Sequence, residues 1–107
     1  MTEESDLEDL RSEIATVTLE MLALCRKRLE LAKRIASVKA KKGLPIEDLE
    51  IEQRLKRRVL DFCHENDMDD EFCIKLFNLL ISESKRVQEK IMKCRFRKEH
   101  SAGGIEQ

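Results

Sequence analysis

The sequence contains little of what β-rich or membrane-spanning proteins need. It has three glycines and one proline, no Trp or Tyr, and four Phe as its only aromatic residues. The sequence has no run of alternating β-branched residues that would predict a strand. It also has no apolar run that approaches the roughly 20 residues of a membrane-spanning helix. Charged residues make up 40% of the chain and hydrophobic residues 41%. This composition is typical of helical bundles, so we expect an all-α protein with no membrane partner.

Neither sign of charge dominates, because 21 basic and 22 acidic residues are interspersed along the chain. Nucleic-acid-binding proteins usually show a basic stripe or aromatic stacking platforms. Only a short basic cluster from Lys93 to Lys98 departs from the balance. We interpret it as a solvated helix end and expect no nucleic-acid partner. The acidic opening residues do not resemble a signal peptide, which predicts a cytoplasmic location.

The usual patterns of metal, cofactor and nucleophile sites are also missing. Cys63-His64 with Cys73 fits no familiar zinc spacing, and no C-x-x-C pair is present. There is no catalytic triad and no glycine-rich phosphate loop. We therefore expect no metal and no cofactor. Without a secretory signal we also expect reduced thiols at Cys25, Cys63, Cys73 and Cys94.

A long N-terminal helix organises the chain. Apolar residues recur three and four positions apart from Leu7 to Val38, which predicts a heptad seam on a helix from Ser5 to about Lys41. Ser5 and Glu8 match a capping box at its start. At 1.5 Å per residue this helix would be roughly 54 Å long. The rest of the chain is too short to cover such a rod, so we expect it to pair with the same helix of a second copy.

Two further helices are predicted after the break at Gly43-Leu44-Pro45. They run from about Leu49 to His64, with Asp48 as N-cap, and from about Asp70 to Arg95, with Asp69 as N-cap. Two adjacent glycines near the C-terminus predict a disordered tail over residues 99–107. The sequence thus predicts a single helical domain over residues 1–98.

Polar side chains interrupt the apolar faces of the first and third helices. Arg28 stands where the seam needs an apolar residue, and a guanidinium there is costly unless an anion meets it. Lys39 lies eleven residues later, about 20° around the helix and roughly 16 Å along it, so both cations leave the same side. On the third helix, Ser84 and Gln88 point along the line of the apolar residues. These four side chains predict a polar site on buried faces.

Arg11 reaches such a site only through a second copy of the chain. It lies 17 residues before Arg28, about 25 Å along the helix and about 100° around it. If two copies cross antiparallel near residues 19–20, Arg11 of one lies opposite Arg28 of the other. Each dimer then holds two identical pockets, with Arg28 and Lys39 from one chain and Arg11 from its partner. Two or three buried cations with neutral donors predict a site for a small dianion.

Taken singly, these residues also have ordinary explanations. Arg28 would suit an ion pair with Glu20 or Glu30 across a coiled-coil seam. Asp48 and Glu52 would stabilise any helix N-terminus. Their joint placement favours a site, and a non-catalytic helical dimer stays open as an alternative.

Several motifs occur together across the three predicted helices. They are Leu10-Arg11, Arg28-Leu29-Glu30-Leu31-Ala32, Lys39, Pro45-Ile46-Glu47-Asp48 leading to Glu52, and Leu76-Phe77 leading to Ser84 and Gln88. With these motifs the sequence resembles the all-helical AroQ-type chorismate mutases over about residues 6–92. The resemblance implies three helices intertwined as an antiparallel homodimer, with sites shared between the chains. It also implies the rearrangement of chorismate to prephenate, a step of phenylalanine and tyrosine biosynthesis, without a cofactor.

The resemblance implies a catalytic role for four residues. Arg28 and the partner's Arg11 would pair with the two carboxylates of chorismate. Lys39 and Gln88 would donate hydrogen bonds to the ether oxygen of the breaking bond. No nucleophile, proton transfer or metal is needed for this [3,3] rearrangement.

Three further residues would hold the substrate. The resemblance implies that Glu52 and the backbone amide of Asp48 bind the ring hydroxyl, and that Ser84 adds a hydrogen bond to a carboxylate. The sequence departs from the family at Ile51, where many relatives carry Arg, so a peripheral cationic contact is missing. Isochorismate-pyruvate lyase, which shares the fold and a similar set of cations, is an alternative, although Glu52 favours chorismate.

Overall fold

Three helices make up the protein. The structure is a computed structural model that describes the backbone of residues 3–105 and the side chains of residues 3–94. Helix α1 spans Glu3–Lys42, α2 spans Leu49–Glu65 and α3 spans Asp70–Ile105, and no strand occurs in the described residues. The all-α prediction is confirmed. Within this part of the chain, no helix is both long and apolar enough to cross a membrane.

The start of α1 differs from the predicted one. The helix begins at Glu3, so Ser5 lies inside the first turn and the predicted capping box at Ser5 is wrong. Three acidic residues, Glu3, Glu4 and Asp6, occupy this first turn. Their negative charge suits the positive end of the helix dipole, which explains why the helix extends past the expected cap.

The turns around α2 follow the predicted capping residues. Asp48 accepts a hydrogen bond from the backbone N–H of Ile51 at 3.2 Å, and Asp69 accepts one from Phe72 at 3.0 Å. Both predicted N-caps are therefore confirmed. Gly43 ends α1 with a φ of +66°, a left-handed conformation that favours glycine.

The end of α3 also differs from the predicted one. The helix runs to Ile105, ten residues past the predicted end at Arg95, because no proline follows Arg95 to stop it. Residues 99–105 of the predicted tail belong to this helix, and residues 106–107 lie outside the described residues. The extent of the domain over residues 1–98 stays a prediction.

The helices form a long and thin molecule. Its principal extents are 75 × 29 × 16 Å and its radius of gyration is 20.0 Å, against about 13 Å for a compact chain of this length. Helix α3 packs against both α1 and α2. Ala32 and Ala36, one turn apart on α1, are buried, so their small side chains let α3 approach closely. The remaining buried apolar residues are Cys63, Cys73, Phe77 and Val87.

The N-terminal half of α1 is uncovered in the single chain. Every residue from 6 to 24 is exposed, including the apolar seam of this half. A contiguous apolar surface of this kind marks an interaction site. The exposed seam residues are Leu7, Leu10, Ile14, Val17, Met21 and Leu24.

Candidate functional site

A cavity of about 370 Å³ lies where the C-terminal half of α1 meets the start of α2 and the middle of α3. We call it the site cavity. Six of the seven candidate residues line it, and they come from all three helices and the N-cap of α2. The structure thus brings together side chains that are up to 60 positions apart in sequence, counting from Arg28 to Gln88. The six are Arg28, Lys39, Asp48, Glu52, Ser84 and Gln88.

Arg28 binds only neutral oxygens in the free protein. Its Nη1 donates to the backbone carbonyl of Leu80 at 3.0 Å and to the hydroxyl of Ser84. Among the described side chains no carboxylate pairs with it, and Glu30 pairs instead with Lys33 at 3.3 Å. Within one chain, Arg28 therefore forms no ion pair with Glu20 or Glu30, and a pair across a seam with a second copy stays an open alternative. The half-buried guanidinium keeps an uncompensated positive charge beside the site cavity.

Lys39 has a similar environment. Its Nζ donates to the backbone carbonyl of Ile46 at 2.5 Å and to Oε1 of Gln88 at 3.3 Å. The loop after α1 supplies the first of these acceptors, and α3 supplies the second. Gln88 is only 7% exposed, and because its Oε1 accepts from Lys39, its amide nitrogen is left to donate. Both side chains can thus present N–H donors to one ligand atom.

The acidic candidates, Asp48 and Glu52, are both already engaged by the protein. The Asp48 carboxylate accepts the capping hydrogen bond from Ile51, so its side chain serves α2. Glu52 forms an ion pair with Lys85, with 2.7 Å between Oε1 and Nζ. The ordinary role of Asp48 as a helix cap is thus observed, while Glu52 faces the site cavity together with a cation.

Lys85 is a lining residue that the sequence did not single out. It also pairs with Glu47, at 3.0 Å. Hydrogen bonds from its ammonium, first to Glu52 and then to Glu47, raise the pKa of Lys85 above its ordinary value. It follows Ser84 directly, so it flanks the polar side of α3, but nothing in the sequence separates it from the other 20 basic residues.

Arg11 does not reach the site cavity within one chain. It lies on the uncovered half of α1 and is exposed. Its predicted contribution therefore depends on a second copy, as the sequence suggested.

A second, apolar opening lies beside the site cavity. This groove, of about 450 Å³, runs between α2 and α3, and we call it the α2–α3 groove. Arg28 lines both openings. Arg58 also borders the groove. The apolar lining includes Leu55, Val59 and Phe62 from α2 and Phe72, Leu76 and Phe77 from α3.

The cysteines lie away from the site cavity and are free thiols. Cys63 donates to the carbonyl of Met68 at 3.0 Å and contacts Asp70 at 3.3 Å. Burial, and then hydrogen bonds with Cys73 and Asp70, raises the pKa of Cys63 to about 12, so the thiol stays protonated and unreactive. In the described part of the chain, no group of three or more His, Cys, Asp or Glu side chains is arranged to hold a metal ion.

Comparisons with known proteins show which family the sequence matches. Residues 10–89 match the family described as chorismate mutase type II. The chain is 33% identical to a chorismate mutase of Methanocaldococcus jannaschii over 86 residues, which cover 80% of this chain and 87% of the relative. It is 29% identical to a 4-amino-4-deoxychorismate mutase of Streptomyces venezuelae over 92 residues, 86% of this chain and 89% of that one. It also matches the bifunctional chorismate mutase/prephenate dehydratase of Escherichia coli at 30% identity, over 95% of this chain and 27% of the relative.

Proposed function

The chain belongs to the type II chorismate mutase family, and from that premise we propose that it rearranges chorismate to prephenate in two cavities, each completed by both copies of an antiparallel homodimer. The family match and the relatives establish an isomerase of the chorismate mutase kind. The residue roles and the dimer are the proposal.

The observation that carries the proposal is the pair of uncompensated cations at the site cavity. Arg28 and Lys39 donate only to neutral oxygens, and no described carboxylate lies within ion-pair distance of either. A half-buried cation without a counter-ion is costly to the fold alone. A dicarboxylate substrate removes that cost on binding, and chorismate is such a dianion.

Arg28 holds a carboxylate of chorismate in this proposal. The planar guanidinium donates two parallel N–H bonds, which match the geometry of a carboxylate. The hydrogen bonds to Leu80 and Ser84 fix the orientation of the guanidinium before the substrate arrives. Such preorganisation holds the flexible enolpyruvyl arm over the ring, where the new carbon–carbon bond forms.

Lys39 and Gln88 stabilise the transition state. As the ether C–O bond stretches, its oxygen gains negative charge, and donors aimed at that oxygen lower the barrier. Lys39 and Gln88 approach from α1 and α3, and Lys39 Nζ already donates to Oε1 of Gln88 at 3.3 Å, which leaves the amide nitrogen of Gln88 to donate. An ether oxygen placed between them receives both hydrogen bonds without any proton transfer.

The ring hydroxyl of chorismate binds to other lining residues in this proposal, and we call their part of the cavity its ring end. Asp48, Glu52 and Ser84 all line the site cavity. In this proposal Glu52 and the backbone amide of Asp48 bind the hydroxyl, and Ser84 adds a hydrogen bond to a carboxylate. The carboxylate of Glu52 has a second oxygen beyond the one that Lys85 contacts, and this oxygen accepts from the hydroxyl.

In the proposed antiparallel dimer, the second copy contributes Arg11 to the site and buries the exposed apolar surfaces. The exposed seam of α1 and the open α2–α3 groove are both apolar and both unfilled in one chain. Laying the N-terminal half of α1 from a second copy along the groove covers both surfaces. It also brings the partner's Arg11 toward Arg28, which borders the groove.

A chorismate-consumption assay on the purified chain tests the proposal. The absence of Trp and Tyr leaves the near-ultraviolet absorbance of the substrate almost undisturbed. We expect Arg28→Ala and Lys39→Ala each to lose about 10²–10³ in turnover, because each removes one preorganised donor. Arg34→Ala and Lys41→Ala, which remove exposed cations of the same helix, serve as controls and should keep turnover unchanged.

Near-normal turnover in Arg28→Ala or Lys39→Ala would contradict the assigned roles. Incubation of the unmodified chain with isochorismate separates the second enzymatic candidate, because salicylate and pyruvate appear only if the chain is an isochorismate-pyruvate lyase.

A further inference from the structure

Lys85 connects separate elements of the fold at the edge of the site cavity. Its ammonium, on α3, lies 2.7 Å from Glu52 of α2 and 3.0 Å from Glu47 in the loop before α2. The side chains of Lys85 and Glu52 are 29% and 23% exposed, respectively. By contrast, the ion pair between Lys75 and Glu71 joins neighbouring turns of α3, and those two side chains are 74% and 75% exposed.

Partial burial makes the pairing of Lys85 with Glu52 stronger than an ordinary surface pair. Exposed pairs contribute little because water and salt screen them. Lys85 and Glu52 are more shielded from solvent, and Lys85 keeps a second carboxylate partner in Glu47. Glu47 is 60% exposed, so water screens its charge, and Lys85 mainly offsets the charge of Glu52 before any ligand binds.

Balanced charge at Glu52 restricts what the ring end of the cavity accepts. One carboxylate oxygen contacts Lys85, and the other is able to accept a hydrogen bond from a neutral hydroxyl. A ring substituent carrying a protonated amine would instead meet an ammonium already bound to the same carboxylate. Like charges brought together at a shielded site oppose binding strongly.

We propose that Lys85 is a specificity-determining residue, which makes the ring end of the site cavity select a neutral hydroxyl over a cationic amine. This inference rests on the proposed function and deepens it. One relative of the chain is named a chorismate mutase and another a 4-amino-4-deoxychorismate mutase, so their substrates differ in this ring substituent. The chain is 33% identical to the first and 29% to the second, so identity alone does not tell which substrate it prefers.

The test compares kcat/KM for chorismate and for 4-amino-4-deoxychorismate. We expect the unmodified chain to prefer chorismate. Lys85→Met keeps the length of the side chain and removes its charge, so Glu52 is left as an unpaired anion. The preference should then shift toward the amine by about tenfold or more, because the unpaired carboxylate attracts the cation that Lys85 had repelled.

Three further variants isolate the charge of Lys85. Lys85→Arg keeps the cation and should keep the preference. Lys75→Met removes an exposed lysine of the same helix and should leave both rates unchanged. In the double variant Lys85→Met/Glu52→Gln the amine should lose its gain, because no carboxylate remains to attract it.

The outcomes separate this inference from the proposed function. If the unmodified chain converts chorismate but Lys85→Met lowers both rates equally, Lys85 is only structural and the inference is overturned. An unmodified chain that prefers the amine overturns it too. If the unmodified chain converts neither compound, the proposed function fails. Should Lys85→Met not fold, as judged by circular dichroism, Lys85→Gln repeats the measurement with a polar side chain of similar shape, and an unchanged preference there also overturns the inference.

Discussion

The two halves of α1 carry the same apolar seam but have different surroundings. In the C-terminal half, Ala32 and Ala36 are buried where α3 packs against α1. In the N-terminal half, residues 6–24 are all exposed, because no other helix of the chain covers them. Yet the seam itself is uncovered in both halves, since Leu31 and Ile35 are 46% and 48% exposed even beside the buried alanines. In the C-terminal half, Arg28, Leu31 and Ile35 of the seam line the site cavity of their own chain. Only the seam of the N-terminal half is left for another partner.

The largest effect is expected from placing a charge on the seam of the uncovered half. Ile14 is 67% exposed in one chain, so Ile14→Asp should be nearly harmless to a monomer. In the proposed dimer the new carboxylate would be buried without a partner, at about 3–5 kcal/mol. We expect loss of the dimer in sedimentation equilibrium and, with it, loss of chorismate turnover.

Ser12→Asp provides a matched control for this prediction, because it adds the same charge to the same helix off the seam. It should leave assembly and turnover intact. A dimeric and active Ile14→Asp variant would mean that the seam is not the interface.

The second-largest effect tests whether Arg11 of one chain and Arg28 of the other serve the same site. Alone, Arg11→Ala and Arg28→Ala should each lose about 10²–10³ in turnover. When the two variants are unfolded together and refolded as a mixture, half of the dimers combine one chain of each. Each mixed dimer has one intact site and one doubly altered site, so turnover should return to about a quarter of the unmodified value.

The recovery should appear only in the mixture and not in either variant refolded alone. Turnover in the mixture that equals the average of the two variants would show that Arg11 and Arg28 do not serve a common site across two chains.

The smallest effect is expected at the turn between α2 and α3, which is complete within one chain. His64 contacts Asp70 at 2.9 Å, and hydrogen bonds from His64 and then Cys63 lower the pKa of Asp70. Because the folded-state pKa is below that of the unfolded chain, the stabilisation is full above the unfolded value and is lost as the pH falls through the folded one. We expect Asp70→Asn to remove this acid dependence below about pH 4.

Urea unfolding at several pH values measures this dependence. Repeating the measurement at two protein concentrations shows whether the effect of each variant depends on dimer formation. The difference between Asp70→Asn and the unmodified chain should not change with concentration, whereas that of Ile14→Asp should. A concentration-dependent effect of Asp70→Asn would place this turn at the subunit interface.

Much of the fold could be predicted because it depends on local signals. The periodicity of apolar residues indicated three helices, and Asp48 and Asp69 marked two helix starts that the structure confirms. The ends of α1 and α3 were harder to predict. Their boundaries depend on small differences among residues that all tolerate a helix, such as the acidic residues around Ser5.

Part of the site could be predicted for a related reason. Arg28 and Lys39 stood out because each interrupts a periodic pattern, and the structure brings both to one cavity. Lys85 interrupts nothing, since a lysine on the flank of a helix is ordinary in a chain with this many charges. Its pairing with Glu47 and Glu52 depends on how the loop after α1 packs against α3, which no local pattern encodes.

The unbroken course of α1 from residue 3 to residue 42 has a consequence for how this protein can vary. One continuous helix carries Arg11 toward one active site of the proposed dimer and Arg28 toward the other, so the number of residues between them acts as a ruler. Deleting one residue would turn Arg11 by about 100° and shift it by about 1.5 Å. Substitutions off the apolar seam of this segment keep that spacing, whereas an insertion or deletion changes the position of Arg11 relative to Arg28 and so disturbs both active sites together.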